Sequence, residues 1–145
     1  MPALFRSLID VEDPSDVYGV TLDGHLEVDG NLFEVAVPAI GVILAAMTGD
    51  LLPSSRLELL EALWRVLAGE SHSTERSIGR GRLGDECRHK AREGIWVILQ
   101  EGFGKHGEIV GEILELIDLD DARLAYYAEI LKASRKRTRR SRSTD

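Results

Sequence analysis

Residues 53–69 read PSSRLELLEALWRVLAG, the clearest periodic stretch of this 145-residue chain. Leu57, Leu60, Leu63, Trp64 and Leu67 recur at the spacing of one helix stripe, with Glu58, Glu61 and Arg65 on the other face. Pro53 stands just before Ser54 and Ser55, which are candidate N-caps, and Gly69 is placed to end the helix. A helix that buries only one stripe needs a neighbour to bury it against, so the flanking segments decide the architecture.

Upstream, Asn31 to Met47 carries the longest apolar run of the chain. Asn31 reads as an N-cap with Glu34 as its capping-box partner. Leu32, Val35, Ala36, Ala39, Ile40, Ile43, Leu44 and Met47 follow helical spacing, and Pro38 is expected to kink or restart the helix. Further upstream, Val20 to Val28 alternates apolar and polar residues and fits either a strand or a short irregular helix.

Downstream, residues 70–84 (ESHSTERSIGRGRLG) show no apolar period and read as a long polar loop. Asp85 is a cap for a helix over Glu86–Glu101, with Cys87, Ala91, Ile95, Ile98 and Leu99 on one face. A fourth helix runs from Lys105 to Ile117, with Ile109, Val110, Ile113, Leu114 and Ile117 inward. A fifth starts near Asp120 and Asp121, whose carboxylates suit a helix N-terminus. Short connections make successive helices antiparallel neighbours. The predicted class is therefore all-α, with five or six helices. Hairpins over roughly 31–69 and 85–118 stack on each other, and an irregular bundle is the alternative. Residues 1–133 form one domain, and 134–145 form a disordered basic tail, because no apolar residue follows Ala133.

Charge is distributed unevenly. The formal net charge is −7, but residues 1–61 hold 11 carboxylates against Arg6 and Arg56, while Arg135, Lys136, Arg137, Arg139, Arg140 and Arg142 face one acid in the tail. An acidic body disfavours a dedicated nucleic-acid-binding domain. Contact with nucleic acid is expected only through Arg135, Arg137, Arg139, Arg140 and Arg142. The single cysteine, Cys87, excludes an internal disulfide and a multi-cysteine zinc site. Acidic residues interrupt any secretory signal at the N-terminus, and no apolar run is long enough to span a bilayer, so the expected location is the cytoplasm.

Motifs for chemistry are weak. Gly79-Arg80-Gly81-Arg82-Leu83-Gly84 matches G-x-G-x-x-G, but HSTERS precedes it where a dinucleotide site needs a strand. Arg76, Arg80 and Arg82 either touch an acidic partner or pair with the protein's own carboxylates. Cys87 and His89 point about 200° apart on a helix and cannot chelate one ion. Glu108, Glu112 and Glu115 share a face but lack the further ligands a metal needs. His25 lies beside Asp23 and Glu27 without a nucleophile motif. No catalytic residue, metal or cofactor is expected. Trp64 and Trp96 belong by default to the core, and either fits an interface anchor.

Three stretches carry a resemblance. They are Gly24-His25 leading through Leu32-Phe33-Glu34-Val35-Ala36-Val37-Pro38-Ala39-Ile40, then Arg56-Leu57-Glu58-Leu59-Leu60-Glu61-Ala62-Leu63, then Cys87-Arg88 with Ala91. Together they resemble the short HEAT-like helical repeat proteins of actinomycetes, some of which act as immunity or antitoxin partners of toxins. The resemblance covers about residues 17–131. It implies a short HEAT-like α-α superhelix that binds protein and carries no catalytic residues. Nuclease toxins tend to be basic, and an acidic inhibitor would be steered toward them. The residues expected to recognise such a basic partner are Asp16, Asp23, Glu27, Asp29, Glu34, Glu58 and Glu61.

Overall fold

A computed structural model describes residues 2–17 and 19–142. The chain is mostly helical. Helix α1 spans Pro2–Ile9, and a 3-10 turn follows at Pro14–Val17. Strands β1 (Glu27–Val28) and β2 (Asn31–Leu32) then precede α2 (Ala36–Met47) and α3 (Pro53–Ala68). Strand β3 (Glu70–Ser71) leads to α4 (Ser73–Ser77), α5 (Leu83–Arg92), α6 (Ile95–Glu101), α7 (Gly107–Ile117) and α8 (Asp121–Arg142). Eight α-helices among the described residues replace the expected five or six.

Helix α3 packs against α2, α5 and α7. Because it is covered on several sides, its buried arc is wider than the expected stripe and rotated from it. Leu59, Leu60, Ala62, Leu63, Val66 and Leu67 are buried, whereas Leu57 and Trp64 are 38% and 37% exposed. Pro53 occupies the first turn of α3, where its missing N–H would have no partner anyway. Neither serine caps the helix, and Leu52 stands at the N-cap without a side-chain bond.

The expected start of α2 at Asn31 is corrected. Asn31 and Leu32 pair antiparallel with β1 and parallel with β3, through Asn31↔Glu70 and Leu32↔Ser71. The two-residue turn between β1 and β2 has positive φ at Asp29 (51°) and Gly30 (76°), the type I′ geometry that matches strand twist. The Asn31 amide donates to Val28 O and Asp29 O, so it braces this turn instead of capping a helix. Pro38 then falls in the first turn of α2 and kinks nothing. The undecided stretch 20–28 is neither a long strand nor a helix: turns lead into the two residues of β1.

The polar loop expected over 70–84 is ordered structure. His72 caps α4 by accepting from the Thr74 N–H, and its ring stacks on Phe33 at 5.0 Å. The single helix expected from 86 to 101 is divided at Gly94. A Cβ there would meet the Leu44 side chain at 2.6 Å, so α2 crosses where the helix breaks. Helix α8 continues through 134–142, where an irregular tail was expected. Residues 143–145 of that tail lie outside the described residues.

Arginines tie these helices together at their C-terminal ends. Arg56 donates to Met47 O at the end of α2 and to Gly49 O just beyond it, Arg88 to Leu67 O near the end of α3, and Arg92 to Ile117 O at the end of α7. Helix C-termini present unpaired carbonyls and partial negative charge, which a guanidinium satisfies with several donors at once. Among the described residues no helix is long and apolar enough to cross a membrane.

Candidate functional site

The acidic residues singled out in the sequence separate into two groups once folded. Glu58 and Arg65 lie two turns apart on α3, and both face the segment running into β1. Leu22 and Leu26 plug that segment into the core with almost no exposure. Glu58 Oε1 accepts from the Leu22 N–H at 2.7 Å and from the Thr21 hydroxyl at 3.0 Å. Glu27 is buried, and its Oε2 accepts from the Gly30 N–H at 2.9 Å. The Arg65 guanidinium lies between them, 3.4 Å from Glu58, 3.6 Å from Glu27 and 3.9 Å from Asp23.

Three carboxylates thus converge on one cation, and the cluster keeps a formal excess of two negative charges. Glu27 and Glu58 are committed to holding the loop. The Asp23 side chain is 68% exposed and is the member of the cluster that is open to solvent. Asp16 is exposed on the 3-10 turn and Asp29 at the tip of the β1–β2 turn, while Glu61 is half-buried on α3. Glu34 is exposed and paired with Arg80. The structure therefore gathers Asp23, Glu27 and Glu58 but leaves Asp16, Asp29, Glu34 and Glu61 outside that cluster. Sequence reading missed Arg65 as the hub. Its seven-residue spacing from Glu58 was the available signal.

The arginines of the glycine-rich loop have partners within the chain. Arg76 donates to Ser71 O, Arg80 pairs with Glu34 and Glu75, and Arg82 pairs with Asp85. Arg80 and Arg82 thus pair with the protein's own carboxylates, while Arg76 binds a backbone carbonyl. Helix α4, not a strand, precedes the glycine motif. Burial pushes the Cys87 thiol up to about 12, which leaves it protonated and unreactive at neutral pH. His25 is exposed, and its N–H donates to Leu22 O. Among the described residues no group of three or more His, Cys, Asp or Glu side chains is arranged to hold a metal ion. Trp96 is 65% exposed and meets the Tyr127 ring edge-on, so it is not a core residue. Arg135 and Arg137 are exposed on α8, and the side chains of residues 138–142 lie outside the described residues.

Compared with known proteins, the chain matches no family model, no curated protein and no solved structure.

Proposed function

We propose that the chain is a non-enzymatic, HEAT-like protein-binding module that neutralises a basic protein in the manner of an immunity protein or antitoxin. The observation that supports this reading is the Arg65 cluster, where three carboxylates surround one guanidinium and Asp23 faces solvent. Local excess negative charge on a rigid support attracts a cationic partner over roughly a Debye length, about 8–10 Å at physiological salt. The buried Glu27 and the loop-binding Glu58 keep the exposed Asp23 in place, so recognition falls to Asp23 with Asp16 and Asp29.

The test is affinity capture from the native host, followed by co-expression with the captured protein. The wild-type chain is expected to retain a basic protein at low salt, release it near 0.5 M salt, and protect cells from it. The Asp16→Asn/Asp23→Asn/Asp29→Asn variant is expected to fold normally and lose both properties. A captured partner that is acidic, or capture and protection equal in the variant, overturns the reading.

A second reading has the helical continuation of α8 in its favour. It places Arg135 and Arg137 on a rod, and the chain is then an adaptor contacting nucleic acid. Removing residues 136–145 is expected to abolish binding to a duplex oligonucleotide if this reading holds. Unchanged or absent binding sinks it.

A further inference from the structure

Helices α7 and α8 are joined by residues 118–120 and run antiparallel. The start of α7 meets the middle of α8, since a Cβ on Gly107 would lie 3.0 Å from Arg135 Nε. Between the two helices opens a groove of about 510 Å³. Its floor is formed by Gly111 and Leu131. One wall carries Glu108, Glu112 and Glu115, and the other carries Lys132 and Arg135. All five charged residues are exposed, and none makes an ion pair among the described residues. Elsewhere Arg56, Arg65, Arg80, Arg82, Arg88 and Arg123 all do.

An acidic wall alone accepts any cation, and a basic wall alone accepts any anion. Set side by side along one groove, they select a surface that carries the same two stripes in reverse. A second copy of this chain supplies that surface. A half-turn about an axis along the groove lays the acidic wall of each copy on the basic wall of the other, whereas an axis across the groove opposes like charges. The floor permits close approach, because nothing lies within 4 Å of where a Gly111 Cβ would stand. We infer that the α7–α8 groove is the isologous interface of a homodimer, held in register by Glu108 and Glu112 of each protomer against Lys132 and Arg135 of its partner. The groove shares no residue with the cluster around Arg65, so dimerisation and partner binding are separable.

Charge swapping tests this on the full chain by sedimentation at about 50 μM protein in low salt. The wild type is expected to sediment as a dimer. Glu108→Lys/Glu112→Lys makes both walls basic and is expected to raise the dimer dissociation constant about tenfold or more. Lys132→Glu cancels the net charge of the basic wall and is expected to weaken the dimer in the same direction, though less. It leaves Arg135, which packs over Gly107, in place, and an unchanged far-ultraviolet circular dichroism spectrum excludes misfolding. A 1:1 mixture of the two variants is expected to recover part of the dimer mass, since the mixed pair keeps one intact acidic-on-basic contact and relieves the basic-on-basic one. A monomeric wild type, a dimer indifferent to either reversal, or a mixture that stays monomeric overturns the inference.

Discussion

Around Arg65, three carboxylates lie within 3.9 Å of one guanidinium, and Glu27 and Glu58 are largely withdrawn from water. Along the α7–α8 groove, Glu108, Glu112, Lys132 and Arg135 are exposed and make no ion pair among the described residues. The residue types are the same and their consequences are opposite. The first set holds a segment without regular structure onto α3, and its removal is felt by the fold. The second set is supported by helices that pack without it, and its removal is felt by whatever docks there. Charge counted along a sequence is therefore not charge available to a partner, and burial of the backbone beneath decides which it becomes.

The sharpest way to break this comparison is Arg65→Ala. It leaves the buried Glu27 and the half-buried Glu58 without their cation, and the expected loss in urea unfolding is about 3 kcal/mol. Lys132→Ala in the groove is expected to stay within about 0.5 kcal/mol. Equal losses at the two positions would dissolve the distinction.

A smaller effect is expected at the α7–α8 junction, a third charged site that belongs with Arg65. Asp118 is buried and bridges Arg123 through both oxygens, at 2.9 and 2.7 Å, while Oδ1 also accepts from the Asp120 N–H. The Arg123 hydrogen bonds hold its carboxyl down to about 2. A carboxylate whose pKa is lower folded than unfolded stabilises the fold above its unfolded value of about 3.9. That contribution is lost as pH falls from about 4 towards 2. Asp118→Asn is expected to cost about 2 kcal/mol at neutral pH and to flatten the fall in the urea midpoint across that window. A variant that retains the full acid sensitivity would assign it to other carboxylates. Smallest of all is Asp23→Asn, expected to change stability by under about 0.5 kcal/mol while weakening capture of a basic partner. A large stability loss there would move Asp23 from the binding surface into the scaffold.

Much of this fold is legible in the sequence where burial is one-sided and helical. The inward residues Val110, Ile113, Leu114 and Ile117 of α7 and the buried Cys87 and Ala91 of α5 follow from spacing alone. Spacing fails where a distant segment decides. Leu32 fits a helical stripe equally well until Glu70 and Ser71 arrive to pair with β2. The Asp29-Gly30 pair was the local hint, since it is the dipeptide a two-residue hairpin turn prefers. Gly94 was visible inside an apparent helix, but the Leu44 side chain that makes it a break comes from α2. Helix α4 escapes periodicity because its one buried residue is Glu75. In the site, the acids were legible by type. Their partition was not, because the Glu58 contact with Leu22 and the pairing of Glu34 with Arg80 join residues far apart in the chain.

The parallel pairing of β2 with β3 has a kinetic consequence. The Glu70 and His72 amides donate to Gly30 O and Leu32 O, so two hydrogen bonds span the whole of α2 and α3. Closing so long a segment carries an entropic cost that local contacts do not, and the reward comes only once the helices between are docked. These strands therefore join after the helical pair has formed. In the native protein their two amides exchange with solvent only when the ends of that pair come apart, which makes them reporters of its release.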